Sequence, residues 1–543
     1  MTTFRGPALD EVEGIGALTL GGFLTEVVDR YGPNEALVLD DDLVGGETVR
    51  WTYDDLGRES RRIGRALLAI GVQPGETVGI VMGNRPEAVA ALFGAAMAGA
   101  IAAPLSTFAP RPELASMLER ADVAVALAQP ALLNRRFGDD LDDLAPTLPK
   151  LRHVAVLGTQ SWTDLVAHAE ETTDAELDDR LAQTTHDDPA LVIFSSGTTS
   201  EPKAILHGHR SPSLQFWLQA DIFGRSEATR MFSALPLFWT AGLNTAMGAT
   251  LAAGGCWAMQ EVFEPGAALA LMAREHVTEP YTLPHQTAAL AEHPSWASTD
   301  LSSLTCVYGK SAYARHPTVH GDTGWIMPVG YGLSETCSAA ASYRSDTPRE
   351  EARVGVGRLL PGTELRVVDP QTGRVLGRGE EGELALAGAT LMQRYLGKTA
   401  DECFDVDGFF HTGDAGHVDA DGVVHYSGRL TEMIKTGGAN VSPAEIEVAL
   451  RACPAVKLSR IIGLPDERLD QVVVACIVAA DGASLTADDV TAFLRERLAA
   501  YKVPKQVLFF ADGEIPMTES ATKVRDDALL ALVGERLTPS GDR

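Results

Sequence analysis

No two of the six cysteines form a C-x-x-C pair; Cys256, Cys306, Cys337, Cys403, Cys453 and Cys476 are scattered. That spacing excludes a disulfide framework and a zinc site of the usual form. It fits buried thiols in a reducing, cytoplasmic setting. Basic residues are also scarce: 45 Lys and Arg stand against 74 Asp and Glu, a net charge of −29. So acidic a surface argues against nucleic acid as the main partner, because a phosphate backbone demands a basic face. The charge serves solubility, and any anionic ligand must meet local cations or backbone N–H donors. The opening "MTTFRGPALDEVEG" lacks an apolar core, so no signal peptide is expected. "AVAALFGAAMAGAIAAPLS" is apolar, but it is rich in Gly and Ala and reaches Pro104. A buried helix leading into a strand is expected there, and no membrane span. Internal repeats and long low-complexity linkers are absent.

The chain has 543 residues, too many for one hydrophobic core, so two or more units are expected. Its 45% hydrophobic and 22% charged residues are those of a globular protein. Helical and extended patterns alternate for most of the length. "ESRRIGRALLAIG" puts Ile63, Leu67 and Ile70 on one helical face, and the extended run "TVGIVM" follows. "PEAVAALFGAAMAG" opens on Pro86, suited to a first helical turn, and leads into "IAAPLS". "PELASMLERA" precedes "DVAVALA" in the same way. Repeated αβ units imply an α/β fold with largely parallel, doubly covered sheets. After about Asp369 the composition turns to Gly and Asp with short strands, which predicts hairpins or a small barrel-like unit. From "PAEIEVALRAC" onward, helices and strands predict a small α+β domain of roughly a hundred residues. Thr486 is its clearest N-cap, and the boundary falls near "GRLTEMIK".

The apolar run "ALVIFSS" ends in the hydroxyl-rich "SSGTTSEPKA", at the strand end where α/β folds usually bind ligands. Hydroxyls and N–H groups there can ring a polyphosphate, and Lys203 adds a point charge. The Walker pattern is absent, with Gly197 its sole glycine and Ala204 after the lysine. Read alone, the segment is equally an ordinary Ser/Thr-rich turn. In "YGLSET" a carboxylate, Glu335, sits beside hydroxyls and suits Mg²⁺. "HTGDAG" is read as exposing Asp414 on a tight turn, where an acceptor-only carboxylate can grip a ribose diol. "YSGR" ends in Arg429, and "PMTESATKV" carries Lys523 on a loop. Taken singly, each of these charges reads as well as a solvated surface group.

In order, "SSGTTSEPK", "LPLFW", "YGLSE", "GELALAG", "HTGD", "YSGR", "MIKTGGANVSPAEIE" and the late lysine cover almost the whole chain. Together they resemble the adenylate-forming superfamily of acyl-CoA synthetases, nonribosomal-peptide adenylation domains and beetle luciferases. The resemblance implies a two-step reaction. A carboxylate attacks the α-phosphate of ATP-Mg²⁺ to give acyl-AMP and pyrophosphate. A thiol, often that of CoA, then displaces AMP. It also implies roles. Ser195, Ser196, Gly197, Thr198, Thr199 and Lys203 would cradle the phosphates. Glu335 would ligate Mg²⁺, Ser334 would touch phosphate, and Tyr331 with Gly332 would lie near the adenine. Asp414 and Arg429 would hold the ribose, and Lys523 would bridge the attacking carboxylate and the α-phosphate. Lys523, Glu335 and Ser334 are the expected catalytic set, with ATP and CoA as co-substrates. Trp239 and Gly309 would border the acyl pocket, and Lys435, Gly437 and Gly438 the pantetheine tunnel. A large N-terminal domain, residues 1–428, would meet a mobile C-terminal domain, residues 432–543, at a hinge over 429–431 that includes Thr431.

Several positions depart from the family pattern. Ser200 and Ala204 replace glycines, Trp239 stands where histidine is common, Lys310 interrupts a small-residue turn, and "TESATK" is one residue longer than usual. These changes sit on the adenylating half. Three readings follow: an acyl-CoA ligase for a hydrophobic acid, fatty, aryl or polycyclic; an enzyme that uses preformed acyl-adenylate from a separate adenylating partner; and a stand-alone loader of a separate carrier protein.

Overall fold

The computed structural model describes residues 2–195, 203–309, 311–321, 323–430, 433–436, 439–466, 470–498, 502–517 and 524–537. Two sheets form the N-terminal body. In the first, Pro189–Ser195, Ile101–Pro104, Thr77–Val81, Val123–Ala128 and His153–Val156 run parallel. Lys203–Gly208 and Arg394–Tyr395 extend it with antiparallel pairs. In the second, Glu279–Pro280, Arg230–Ser233, Cys256–Met259 and Glu35–Asp41 are parallel and Glu47–Thr52 closes an edge. The αβ rhythm of the sequence therefore folds as expected.

Helices fill the space between these sheets. Tyr53–Ala69 starts at Thr52, whose hydroxyl accepts from the Asp55 N–H while the Asp55 carboxylate accepts from the Thr52 N–H. That reciprocal cap fixes where the helix begins. Pro86–Met97 is the apolar run of the sequence; it is twelve residues long and buried at every position but Glu87. Phe93, Leu67 and Phe216 join residues of both sheets in one core cluster. Fully burying such a side chain stabilises by about 1.5–3 kcal/mol. Among the described residues no helix is long and apolar enough to cross a membrane.

The Gly- and Asp-rich region forms an antiparallel sheet, in the order Phe4–Arg5, Thr363–Val368, Gly382–Gly388, Phe410–Val418 and Val424–Arg429. Alternate residues, among them Leu365, Val367, Leu384 and Leu386, form its core. The C-terminal unit carries Val456–Asp466 against Asp470–Ala479, with Gln506–Phe509 alongside and helices Pro443–Arg451 and Ala487–Arg495 packed on it. Thr486 caps the second helix as the sequence predicts.

One buried ion pair braces the helix Arg210–Phe223. Arg225, just beyond its end, donates to both Glu279 oxygens at 2.8 and 2.6 Å, and the two side chains are 1% and 2% exposed. The guanidinium also donates to the Thr245 carbonyl and to the Thr250 hydroxyl. Removing one partner strands the other charge in a dry interior. Glu279→Gln is expected to cost about 3–5 kcal/mol, read as a lower urea midpoint, and pairing it with Arg225→Met recovers most of that loss.

Candidate active site

The strands on either side of the hydroxyl-rich segment are paired antiparallel. Ser195 and Lys203 are directly paired across the two strands, as are Phe194 and Ala204. Ser196, Gly197, Thr198, Thr199 and Ser200 lie outside the described residues. Ala204 is buried within a strand and is not among the described non-glycine residues with positive φ. An extended strand accepts alanine, so this replacement of glycine carries no backbone penalty.

Lys203 extends over the Tyr395 ring, its Nζ 5.3 Å from the centroid, and Lys398 approaches the same ring at 5.7 Å. The Tyr395 hydroxyl donates to Glu335 Oε1 at 2.6 Å. Burial, followed by the adjacent Glu335 charge, pushes the Tyr395 phenol up, so it stays a proton donor. Glu335 is buried but for its rim, and its main-chain carbonyl accepts from the Met392 N–H at 2.7 Å. Among the described residues no group of three His, Cys, Asp or Glu gathers. A single buried carboxylate is a donor set that suits Mg²⁺, which keeps waters and takes its other ligands from substrate phosphates.

Ser334, Glu335 and Thr336 follow directly on Tyr331 and Gly332. A β-carbon at Gly332 would overlap the Ser338 carbonyl oxygen, so this position needs glycine for space. The Tyr331 hydroxyl donates to Asp414 Oδ2 at 2.7 Å, and its ring stacks on Tyr426 with centroids 5.6 Å apart. Burial, then the Asp414 charge, raises the Tyr331 phenol above its ordinary value. Asp414 corrects the sequence reading. It lies inside the strand Phe410–Val418 and is 2% exposed, rather than displayed on a turn. The glycines that signalled a turn serve an irregular strand: Gly413 has φ 73° and the register shifts between Ala415 and Gly416. Arg429 is the cross-strand partner of Asp414, its Nε 3.0 Å from Oδ1 and its Nη1 2.7 Å from the Thr412 carbonyl.

Trp239 is partly exposed and packs edge-on with Phe238 and Phe108, the latter 61% exposed. Asn84 anchors the segment before it: Oδ1 accepts from the Leu237 N–H at 3.0 Å and Nδ2 donates to the Leu235 carbonyl at 2.9 Å. Gly309 is exposed beside a cavity of about 450 Å³ bordered by Thr282, Cys306, Tyr308, Trp325 and Met327. Among the described residues no hydrogen bond or ring contact joins Gly309 to Trp239. Lys435 lies in the strand Ile434–Thr436, which pairs with Ala439–Val441. Gly437, Gly438, Thr431, Lys310 and Lys523 lie outside the described residues. Tyr395, Tyr426, Asn84 and Asn244 escape the sequence reading, since only long-range contacts mark them.

Two buried histidines border this region. His209 Nδ1 accepts from the Leu20 N–H at 3.2 Å, and His207 Nε2 donates to the Ser334 carbonyl at 2.9 Å. Burial brings both down to about 4 from 6.5. The unfolded chain then binds more protons than the folded one between these values, so stability falls as pH drops from 6.5 towards about 4. Thermal melts across that window are expected to show the decline, and His209→Asn, which keeps an acceptor but does not titrate, makes it shallower, with the His207 share remaining. Gly332→Ala is expected to lower kcat/KM by about 10²-fold through displacement of the Glu335 turn, measured against unchanged global circular dichroism.

The model of the AMP-binding enzyme family matches residues 24–396, and that of the AMP-binding enzyme C-terminal domain matches residues 445–522. A feruloyl-CoA synthase from an Amycolatopsis species is 33% identical over 492 residues, covering 86% of this chain and 91% of the relative. An indoleacetate–CoA ligase from Aromatoleum aromaticum is 32% identical over 522 residues, 94% of this chain and 98% of the relative. The solved structure of the anthranilate CoA ligase AuaEII in complex with anthranoyl-AMP superposes with a TM-score of 0.78 at 26% identity, covering 97% and 99%. Hydroxyl loop, buried carboxylates and whole-length likeness agree: the chain belongs to the AMP-binding enzyme family, as an AMP-forming acid–thiol ligase.

Proposed function

We propose that this enzyme converts an aryl or polycyclic carboxylic acid, with ATP and CoA, to the acyl-CoA, AMP and pyrophosphate. The observation that carries the reading is the contact of Tyr331, Asp414 and Arg429 immediately before the turn that bears Ser334 and Glu335. Through Tyr331 this contact brings Asp414, the proposed ribose ligand, against the short segment that carries Glu335, the proposed Mg²⁺ ligand. The cavity of about 450 Å³ has a volume in the range of small-molecule sites, and its lining by Tyr308, Tyr313 and Trp325 suits a ring-bearing acid. The names of the relatives, feruloyl-CoA synthase and indoleacetate–CoA ligase, support the same class.

In the first half-reaction a carboxylate oxygen bonds to the α-phosphorus as the bond to the β-phosphate bridging oxygen breaks. Asp414 with Arg429 would hold the ribose, Tyr331 and Gly332 the adenine side, and Ser334 a phosphate oxygen. Ser195 to Thr199 and Lys203 would receive the leaving pyrophosphate. Glu335 would hold Mg²⁺, which when bound supplies positive charge at the phosphates. Lys523 would offset the repulsion between the carboxylate and the α-phosphate. In the second half-reaction the thiol sulfur bonds to the acyl carbon, the bond to AMP breaks, and the thiol proton passes to solvent. Lys435, Gly437 and Gly438 would line the pantetheine approach, on a domain of residues 432–543 turning about Thr431. Both half-reactions are assigned to this chain, since the strand position of Ala204 removes one reason to separate them.

A panel containing ferulate, indoleacetate, anthranilate, a bicyclic propanoate and a fatty acid, with ATP and CoA, tests this directly. Pyrophosphate and thioester are followed separately. Release of pyrophosphate with a ring-bearing acid and CoA-dependent thioester formation are expected. Consumption of supplied acyl-adenylate without any pyrophosphate release refutes adenylation, and loading of a carrier protein in preference to CoA refutes the thiol. Lys523→Ala should lower adenylate formation by about 10²–10³-fold and leave thioester formation from supplied acyl-adenylate within a few-fold.

A further inference from the structure

The turn that follows Glu335 is strained and is held from outside itself. Cys337 has φ 57° and Ser338 has φ 153°, both in the region that favours glycine. Such backbone persists only where its surroundings over-determine it. Within the turn the Thr336 hydroxyl donates to the Ser338 carbonyl at 3.0 Å, and from outside it act three side chains with 0% exposure: His207, Gln215 and Asn244. His207 donates to the Ser334 carbonyl at 2.9 Å. Gln215 donates to the carbonyls of Thr336 and Ala339, at 3.0 and 2.6 Å. Asn244 donates to the carbonyl of Cys337 and lies 3.7 Å from its sulfur.

Asn244 differs from the other two in where it comes from. It sits within Ala241–Gly248, an eight-residue π-helical stretch that starts two residues after Trp239. π-Helical turns are rare, hydrogen-bond less well than α-helix, and concentrate at functional sites. The Leu243 N–H donates to the Trp239 carbonyl at 2.8 Å, so Trp239 is part of the same hydrogen-bonded ladder. Asn84 holds Leu235 and Leu237 on the other side of the tryptophan. The partly exposed indole is thus the segment's one large group free to respond to an incoming acid, and the amide of Asn244 is its direct tie to the Glu335 turn.

We propose that Asn244 is a positioning residue that sets the Glu335 turn for ATP-Mg²⁺ and couples that turn to the Trp239 segment. The inference rests on the ligase reading above. Asn244 touches neither nucleotide nor acid in this scheme. It acts by fixing the Cys337 carbonyl, two residues from the Glu335 carboxylate, and so passes a displacement of one segment to the other.

The test is calorimetric titration of ATP with Mg²⁺ into the full chain without acid or CoA. Asn244→Leu keeps the volume and removes the donor. It is expected to weaken ATP-Mg²⁺ binding about tenfold while changing thioester formation from supplied acyl-adenylate less than about threefold. Trp239→Ala should shift ATP-Mg²⁺ affinity in the wild type and have no further effect on Asn244→Leu. In a Gln215→Leu background, by contrast, the Trp239→Ala effect should persist. A folded Asn244→Leu protein with wild-type affinity overturns the proposal, as does strict additivity of Trp239→Ala with Asn244→Leu. If Asn244→Leu does not fold, Asn244→Ser, which is too short to reach the carbonyl, carries the same expectations. A wild-type protein that fails to bind ATP-Mg²⁺ counts against the ligase reading, whereas normal wild-type binding with no effect of Asn244 counts against this inference alone.

Discussion

The carbonyl groups of residues 334–339 point into protein, not water, and each needs a donor. An unmade hydrogen bond at such a group costs about 1–3 kcal/mol, and five of these six carbonyls meet donors from elsewhere in the fold, while that of Ser338 accepts from the Thr336 hydroxyl. His207, Gln215, Asn244 and the Met392 N–H meet the carbonyls of Ser334, Glu335, Thr336, Cys337 and Ala339. Those donors come from a strand, a helix, a π-helical turn and an edge segment. The position of Glu335 therefore depends on all of these elements folding together. Rigid support of this kind is what an electrostatic site requires, since groups that need not reorganise stabilise developing charge most strongly.

Electrostatics in the site run against those of the whole molecule. With a net charge of −29, the protein as a whole repels ATP. Lys203 and Lys398 flank one tyrosine ring, and Arg429 stands beside Asp414 with its side chain 43% exposed. Cation and carboxylate are interleaved, so no carboxylate of the site lacks a donor at hydrogen-bonding distance. The two tyrosines, Tyr331 and Tyr395, each give a proton to one of these acids and are themselves held un-ionised by burial. A local field of this sort can bind an anion without altering the acidic exterior.

Much of the fold is legible in the sequence because it is local. Apolar periodicity, Pro86 at a first turn and Thr486 at an N-cap each specify an element without distant partners. Motif order, rather than periodicity, is what singles out Glu335, Arg429 and Lys203 in the sequence. The site is misread where one residue type serves two geometries. The glycines around Asp414 signal a turn in isolation, yet in the sheet they permit an irregular strand whose register brings Asp414 opposite Arg429. Ala204, where the family has glycine, lies in a paired strand that accepts it, which composition alone does not reveal. Asn244 and Gln215 lie 93 and 121 residues from their carbonyls, and no periodicity encodes such a contact.

The pairing of Ser195 with Lys203 separates two properties that sequence runs together. The cation belongs to the strand Lys203–Gly208, whereas most of the hydroxyls and the glycine of the motif fall between the two paired strands in sequence. In the proposed scheme, changes of length or composition between residues 196 and 202 would retune the phosphate contacts without relocating Lys203. A lineage could vary nucleotide grip and nucleotide recruitment independently, each by short edits to a single hairpin.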